Sequence, residues 1–333
     1  MAKLTPLPFD DAHELVAHFG LELVDMQALE AGSVNSNFFL EARSIAGSQA
    51  SADPTLLNRF FARIYEEQGQ KGACFEVELS ERLARCHLPV ARPLRTLDGE
   101  ALVFYGEKPF AVYERLQGHV LCQKMVTAKA CYAVGRALAQ VHLASLGDFE
   151  VAQGRFGLQG ILERLARVEA AGRADLMPAV ERGRELAQRL ASSRVAALPA
   201  GLIHGDLFRD NVLIVDQKVS GLLDFESACF GAYVYDLMVT MLAWCYSHRL
   251  EPELVQQMVA GYQSLRPLGP VERSAMVSEG SFACLRFAST RLTDFSLRAA
   301  LGQPPKRNYA RFFQRLDALE GGALQQILPE LLG

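Results

Sequence analysis

Apolar positions in the first 116 residues come in short runs separated by small and polar residues. Residues 10–20 (DDAHELVAHFG) show helical spacing and end on Gly20, which predicts a short capped helix. Strand-like stretches follow at 23–29, 37–43 and 59–65. Between the last two, the segment SIAGSQASADPTLLN predicts a flexible hairpin loop. Residues 72–86 return to a helical period, with Phe75, Leu79 and Leu83 four apart, until Pro89 and Pro93 break it. Two more strands are predicted at 101–105 and 110–113, and Leu116-Gln117-Gly118 reads as a linker.

Beyond Gly118 the pattern is mainly helical. Thr127 is placed to cap a helix that buries Cys131, Val134, Leu138 and Val141. Residues 160–195 are rich in Ala, Arg and Glu at helical spacing, and further helices run from about 232 to the end. The one clear β signal here is a hairpin, 211–215 with 219–223, turning through Asp216-Gln217-Lys218. No internal repeat is visible. The fold class predicted is α+β, a β-rich N-terminal lobe and a mainly helical C-terminal lobe, on the plan of a protein-kinase-like bilobal fold. The boundaries predicted are residues 1–116, a hinge at about 114–118, and 119–333.

Composition narrows the function classes. Half of the 333 residues are hydrophobic and 22% are charged, as in ordinary globular proteins. A net charge of −4 offers no basic footprint for nucleic acid or for an anionic membrane. Seven scattered cysteines without a C-x-x-C pair read as free thiols in a reducing compartment. The N-terminus lacks the apolar core of a signal peptide, and no apolar run is long enough to span a bilayer, so a cytoplasmic location is expected.

The sharpest chemistry lies in His204-Gly205-Asp206-Leu207-Phe208-Arg209-Asp210-Asn211, then the hairpin, then Leu223-Asp224-Phe225-Glu226. Phosphoryl transfer from ATP needs a carboxylate to take the acceptor hydroxyl proton and oxygen ligands to hold Mg²⁺ on the phosphates. Asp206 and Asn211 stand in the D-x-x-x-x-N relation of a kinase catalytic loop, and Asp224 holds the place of the metal aspartate. Asp206 is thus the candidate catalytic residue, and Asn211 with Asp224 the candidate metal ligands. His204 is assigned to bonding loop backbone. Asp236, in Tyr235-Asp236-Leu237, either supports that loop or caps the following helix.

The nucleotide side is less marked. Gly32-Ser33-Val34-Asn35-Ser36-Asn37 lies between two strands and is either a phosphate-covering turn, with Gly32, Ser33 and Asn35 as ATP contacts, or a plain hairpin turn. Arg63 is the only basic residue inside the stretch Phe60–Tyr65; it either meets phosphate or faces solvent. Glu76 and Glu78 are both available as ion-pair partners on the helix, and spacing does not choose between them. Glu114, Arg115 and Leu116 are the hinge positions whose backbone would read adenine.

These residues resemble the aminoglycoside-phosphotransferase and choline-kinase superfamily and, within it, the homoserine kinase family. The matching stretches run nearly end to end: residues 32–39, Leu88-Pro89-Val90, the catalytic loop, Gly221 to Phe225, Tyr235-Asp236-Leu237, Trp244-Cys245, Gly261-Tyr262, Arg266-Pro267, Leu285-Arg286-Phe287 and Thr290-Arg291-Leu292. The resemblance implies ATP and Mg²⁺ as cofactors and transfer of the γ-phosphate to the L-homoserine hydroxyl, a step of threonine biosynthesis. Two departures bear on the acceptor: a long loop at 44–58, and Glu226-Ser227-Ala228-Cys229 where a more aromatic segment is usual.

A homoserine acceptor brings a carboxylate, so Arg286 and Arg291 become candidate substrate-binding residues, one reaching the ligand and the other pairing structurally, Arg291 with Asp294. Both could equally be ordinary surface arginines. The rival acceptors are choline, ethanolamine or an aminoglycoside. A non-catalytic ATP-binding regulator would be expected to lack one of Asp206, Asn211 and Asp224, and a protein kinase would show an activation segment, which is not visible. The partner expected is a small-molecule substrate, with neither nucleic acid nor membrane; monomer and homodimer stay open.

Overall fold

The structure, a computed structural model, describes residues 5–29, 35–45, 56–154, 157–195, 197–301, 303, 305 and 307–332. Gly32, Ser33 and most of the long 44–58 loop lie outside these residues. The chain divides into two compact units: Met1–His119 with Ser145–Phe149 and Ser220–Glu226, and Val120–Ala144 with Glu150–Val219 and Ser227–Gly333.

The first unit is built on a five-stranded antiparallel sheet, β1 (Leu21–Leu29), β2 (Ser36–Ser44), β3 (Leu57–Ile64), β4 (Val103–Tyr105) and β5 (Lys108–Glu114), in the order β1-β2-β3-β5-β4. Alternation decides its two faces. Phe60, Ala62 and Ile64 of β3 join Phe38, Leu40 and the helix α1 (Phe9–Ala17) in one core. Tyr65, Ala111 and Tyr113 pack on the other side against Ala73 and Val77 of α2 (Gln70–Arg85). Arg63 belongs by register to that second, helix-covered face, opposite Asn37 on β2 and Ala111 on β5.

The second unit is mainly helical, confirming the α+β division. Its helices include α3 (Ala128–Leu143), α4 (Leu158–Ala170), α5 (Met177–Ser193), α6 (Tyr233–Trp244), α7 (Pro252–Gln263), α8 (Pro270–Arg291) and α9 (Ala310–Glu320). Thr127 caps α3, its Oγ1 accepting from Ala130 N at 3.1 Å. α3 and α7 approach through glycines: a Cβ on Gly135 would lie 2.1 Å from Met258 O, and one on Gly261 2.0 Å from Tyr132 O. The hairpin of β7 (Val212–Val215) and β8 (Lys218–Leu222) turns through Asp216 and Gln217, both at positive φ. A ladder absent from the sequence reading pairs β6 (Ala200–Ile203) with β9 (Cys229–Ala232), its four-residue strands flanking the catalytic loop in sequence. Among the described residues no helix is long and apolar enough to cross a membrane. All seven cysteines are free.

Candidate active site

In the first unit the site is a dry cluster of charges. Arg63 Nη1 donates to Glu76 Oε1 at 2.6 Å and its Nε to Asn37 Oδ1 at 3.1 Å. The side chains of Arg63 and Glu76 are only 11% and 7% exposed, which removes the solvent-facing alternative for Arg63. Between the two glutamates the structure selects Glu76; Glu78 instead pairs with Arg82, one turn along α2. α2 presents Glu76 inward beside Ala73 and Val77, so the helix that buries the sheet face also carries the counter-charge.

Burial pushes the Glu76 carboxyl up to about 7, with Arg63 opposing and Asp224 and Glu226 adding to it. Burial also works against the Arg63 charge, but Glu76 and Asp224 outweigh it and hold the guanidinium more firmly protonated than usual. Asp224 follows β8 with φ of 61°, a left-handed conformation uncommon outside glycine that Asp tolerates better than most residues. Its Oδ1 is buried and has no hydrogen-bond partner. A buried carboxylate oxygen without a donor fits a hard divalent cation, which takes oxygen ligands and supplies the missing positive charge.

The other nucleotide-side positions are less available than their sequence suggests. Asn35 is buried, and its Oδ1 accepts from Glu66 N at 3.1 Å, a brace across the strand ends. Glu114 N–H is taken by Arg92 O at 2.9 Å, and Arg115 N–H by Arg59 O at 3.2 Å. Leu116 is half-buried.

The second unit holds the catalytic loop. Gly205 adopts φ of 75°, and a Cβ there would meet Ser227 O at 2.8 Å, so only glycine lets the loop turn at that point. Asp236, at the start of α6 and fully buried, accepts from His204 N (2.7 Å) through Oδ2 and from Gly205 N (2.8 Å) through Oδ1. It therefore grips the two amides just before Asp206. His204 Nδ1 accepts from Asp206 N at 3.3 Å. Asn211 Nδ2 donates to Asp206 O at 2.8 Å, which commits the amide nitrogen to the loop and leaves Oδ1 as the atom that could take a cation. The Asp206 side chain is 33% exposed, open enough to meet a hydroxyl.

Sequence reasoning missed the support behind Asp236. His142 of α3 bonds Asp236 Oδ2 through Nε2 at 3.1 Å and Tyr262 Oη through Nδ1 at 2.7 Å. Tyr262 Oη accepts in turn from Arg266 Nη1 at 3.1 Å, and Arg266 is paired with Glu272 at 2.8 Å. Asp236 is held as a carboxylate and can only accept, so His142 carries a proton on Nε2; with burial keeping the ring neutral, Nδ1 is left to accept from Tyr262 Oη. Burial holds the His142 pKa below the usual imidazole range, the Asp236 contact opposing. Burial likewise resists the Asp236 charge, but its bonds to His142 and to backbone hold the carboxyl below the ordinary range. The sequence signal was a histidine four residues after Leu138, on the apolar stripe of a helix.

The two candidate substrate arginines differ. Arg286, 4% exposed, donates to Gly205 O at 2.7 Å and lies 3.7 Å from Asp206 Oδ1, so it is built into the loop. It also lines a cavity of about 200 Å³ with Arg194, Ser227, Cys229, Tyr235 and Phe282. Arg291 does not pair with Asp294, contrary to the sequence expectation. The helix opens into a π turn over Leu292–Ser296, and Asp294 meets Arg164 at 3.2 Å. Arg291 instead donates to Asn308 O at 2.8 Å and stands over the Phe312 ring. Among the described residues no group of three or more His, Cys, Asp or Glu is placed to hold a metal.

Residues 10–273 match the model of the phosphotransferase enzyme family. A homoserine kinase of Methylobacterium nodulans is 32% identical over 304 residues, 89% of this chain and 88% of its own. One from Pseudomonas aeruginosa is 33% identical over 299 residues, 88% of each chain. Among solved structures, a spectinomycin phosphotransferase in complex with ADP and spectinomycin aligns with a TM-score of 0.66 at 14% identity, covering 96% of this chain and all of its own. An amicoumacin kinase in complex with AMP-PNP, Ca²⁺ and Ami aligns at 0.65 and 15% identity, over 97% and 91% of the two chains. At such identities these structures establish the shared kinase-like fold.

Proposed function

The chain belongs to the phosphotransferase enzyme family, and from that premise we propose that it transfers the γ-phosphate of ATP to the side-chain hydroxyl of L-homoserine. The observation that carries the acceptor is the similarity to homoserine kinases, which extends over 88% or more of this chain and so takes in both units rather than the catalytic loop alone.

Each unit supplies a distinct part of the chemistry. In the second, Asp206 accepts the hydrogen bond of the acceptor hydroxyl and takes its proton as the oxygen attacks the γ-phosphorus. The new O–P bond forms as the bond from phosphorus to the bridging β-phosphate oxygen breaks, and ADP leaves with the electron pair. Asp236, through the His204 and Gly205 amides, keeps the base in place during this step. In the first unit, Arg63 has Nε and Nη1 committed to Asn37 and Glu76 and offers Nη2 to a phosphate oxygen. Asp224 and Asn211 would hold Mg²⁺, whose charge when bound offsets that of the β- and γ-phosphates. Adenine is read at the segment Glu114–Leu116 by backbone groups other than the two N–H groups already engaged. Gly32 and Ser33 remain phosphate-loop candidates. The free thiols and the expected role in amino-acid biosynthesis fit a cytoplasmic enzyme.

The test is ADP release measured by a coupled assay with L-homoserine, choline, ethanolamine and an aminoglycoside side by side. Strong, magnesium-dependent release with homoserine alone is expected. Turnover of choline or an aminoglycoside with none of homoserine would overturn the acceptor and leave the phosphotransferase standing.

A further inference from the structure

Many arginines in the second unit meet a carboxylate. Arg164 pairs with Asp294, Arg173 with Asp175, Arg184 with Glu169, Arg194 with Glu279 and Arg266 with Glu272. Not all do, and among the described residues one group of five holds a single such pair. Arg291 and Arg315 share the Phe312 ring, and the charges of Arg307 and Arg311 weigh on the first and those of Arg311 and Arg209 on the second.

Their hydrogen bonds go mostly to neutral acceptors. Arg291 donates to Asn308 O, Arg315 to Leu242 O (2.9 Å) and Arg311 O (2.8 Å), and Arg209 to the Gln123 side chain. Among the described residues, Asp210 alone gives the five a carboxylate bond, at 3.4 Å to Arg307. These contacts fix the guanidinium groups without neutralising them. Phe312 supplies a common wall, with Arg291 at 4.4 Å and Arg315 at 5.0 Å from its ring centroid. Phe312 touches Phe208 of the catalytic loop, and Arg209 and Asp210 belong to that loop. Arg291 is also within the field of Asp206, which opposes the push of burial and neighbouring arginines on it.

A fold that gathers five like charges loses stability unless an anion completes the set. We propose that this cluster receives the carboxylate of the acceptor whose hydroxyl Asp206 accepts, with Arg291 and Arg311 as its principal contacts; the assignment rests on the function proposed above. A hydroxyl and a carboxylate only a few bonds apart, as in a short hydroxy-amino acid, suit a base with an uncompensated arginine cluster at its side. Arg286, spent on Gly205 O and Asp206, is a positioning residue for the loop rather than the carboxylate ligand.

The experiment compares L-homoserine with homoserinol, its analogue carrying a hydroxymethyl group where the carboxylate stands, in wild type, Arg291→Met and Arg311→Met. Arg311 is exposed, so its variant keeps the test open even where Arg291→Met folds poorly. Wild type should prefer homoserine by about 30-fold or more in kcat/KM, the worth of a lost charge-assisted pair. Both variants should lose most of that preference through the KM for homoserine, with the KM for ATP unchanged. Equal use of both acceptors by wild type would overturn the assignment and leave the kinase intact. So would variants that keep the preference, or that raise the KM for ATP and thereby place nucleotide phosphate in the cluster. Wild type that turns over neither acceptor would strike down the homoserine reading itself, and this ligand with it.

Discussion

Arg63 is buried and Arg291 half-buried, and they illustrate opposite treatments of a cation. Around Arg63 the fold provides its own counter-charge: Glu76 at 2.6 Å, with Asp224 adding to the field. Around Arg291 the fold adds more cations, and burial together with Arg315, Arg307 and Arg311 pushes its pKa down to about 10. An arginine with an internal partner is part of the framework. Arg291, bonded to the neutral Asn308 carbonyl, is the one to which the proposal above gives an anionic ligand. The first kind should be costly to disturb in the empty protein, and the second only in the working enzyme.

The largest expected effect lies in the chemistry. Asp206→Asn should lower kcat by about 10² or more, the usual contribution of a positioned base, with the KM for ATP little changed. Steady-state kinetics reporting near-normal turnover would remove Asp206 from the mechanism.

Stability separates the two arginine environments next. Glu76→Ala strands Arg63 in the interior and should cost roughly 3–5 kcal/mol, whereas Arg291→Met, in the absence of acceptor, should cost no more than about 1 kcal/mol, the worth of its single hydrogen bond to Asn308 O. Urea midpoints of the ligand-free proteins decide this. Equal losses in the two variants would erase the distinction.

A smaller effect concerns pH. His142 stays neutral in the fold because burial depresses its pKa, while in the unfolded chain it takes up a proton as pH falls through about 6.5. Its contribution is therefore complete above that value and is lost progressively below it. Asp236, with its own pKa held low, adds a further loss only at still lower pH, as the unfolded carboxyl protonates near 3.9. His142→Gln should flatten the decline in unfolding free energy between about pH 7 and 5. An unchanged slope in the variant would mean that His142 titrates alike in both states.

What could be read from the sequence was what depends on neighbours along the chain. Periodicity located α2, the capped α3 and the β7–β8 hairpin, and the catalytic loop announced itself by spacing. The β6–β9 ladder escaped because its strands are four residues each, contain Ala and Gly, and pair across the whole catalytic segment. The choice of Glu76 over Glu78 needed the face of α2 that covers Arg63, which is a tertiary fact. The expected Arg291–Asp294 pair assumed that α8 continued regularly; the π turn sends Asp294 to Arg164 instead. The arginine cluster draws on residues 209, 291, 307, 311 and 315, and no local pattern joins the first to the rest.

The glycine crossing of α3 and α7 carries a genetic corollary. Gly261 directly precedes Tyr262, and Gly135 lies about two helical turns before His142, so the closeness of the two backbones sets whether that tyrosine and histidine can meet. Every glycine codon is a single nucleotide from an alanine codon, and a methyl group at either position would collide with a main-chain carbonyl at about 2 Å. A growth-based selection scanning this chain would then record two inactivating positions that meet no ligand. The map of essential residues would extend beyond the set that touches substrate, along the path by which the catalytic loop is held.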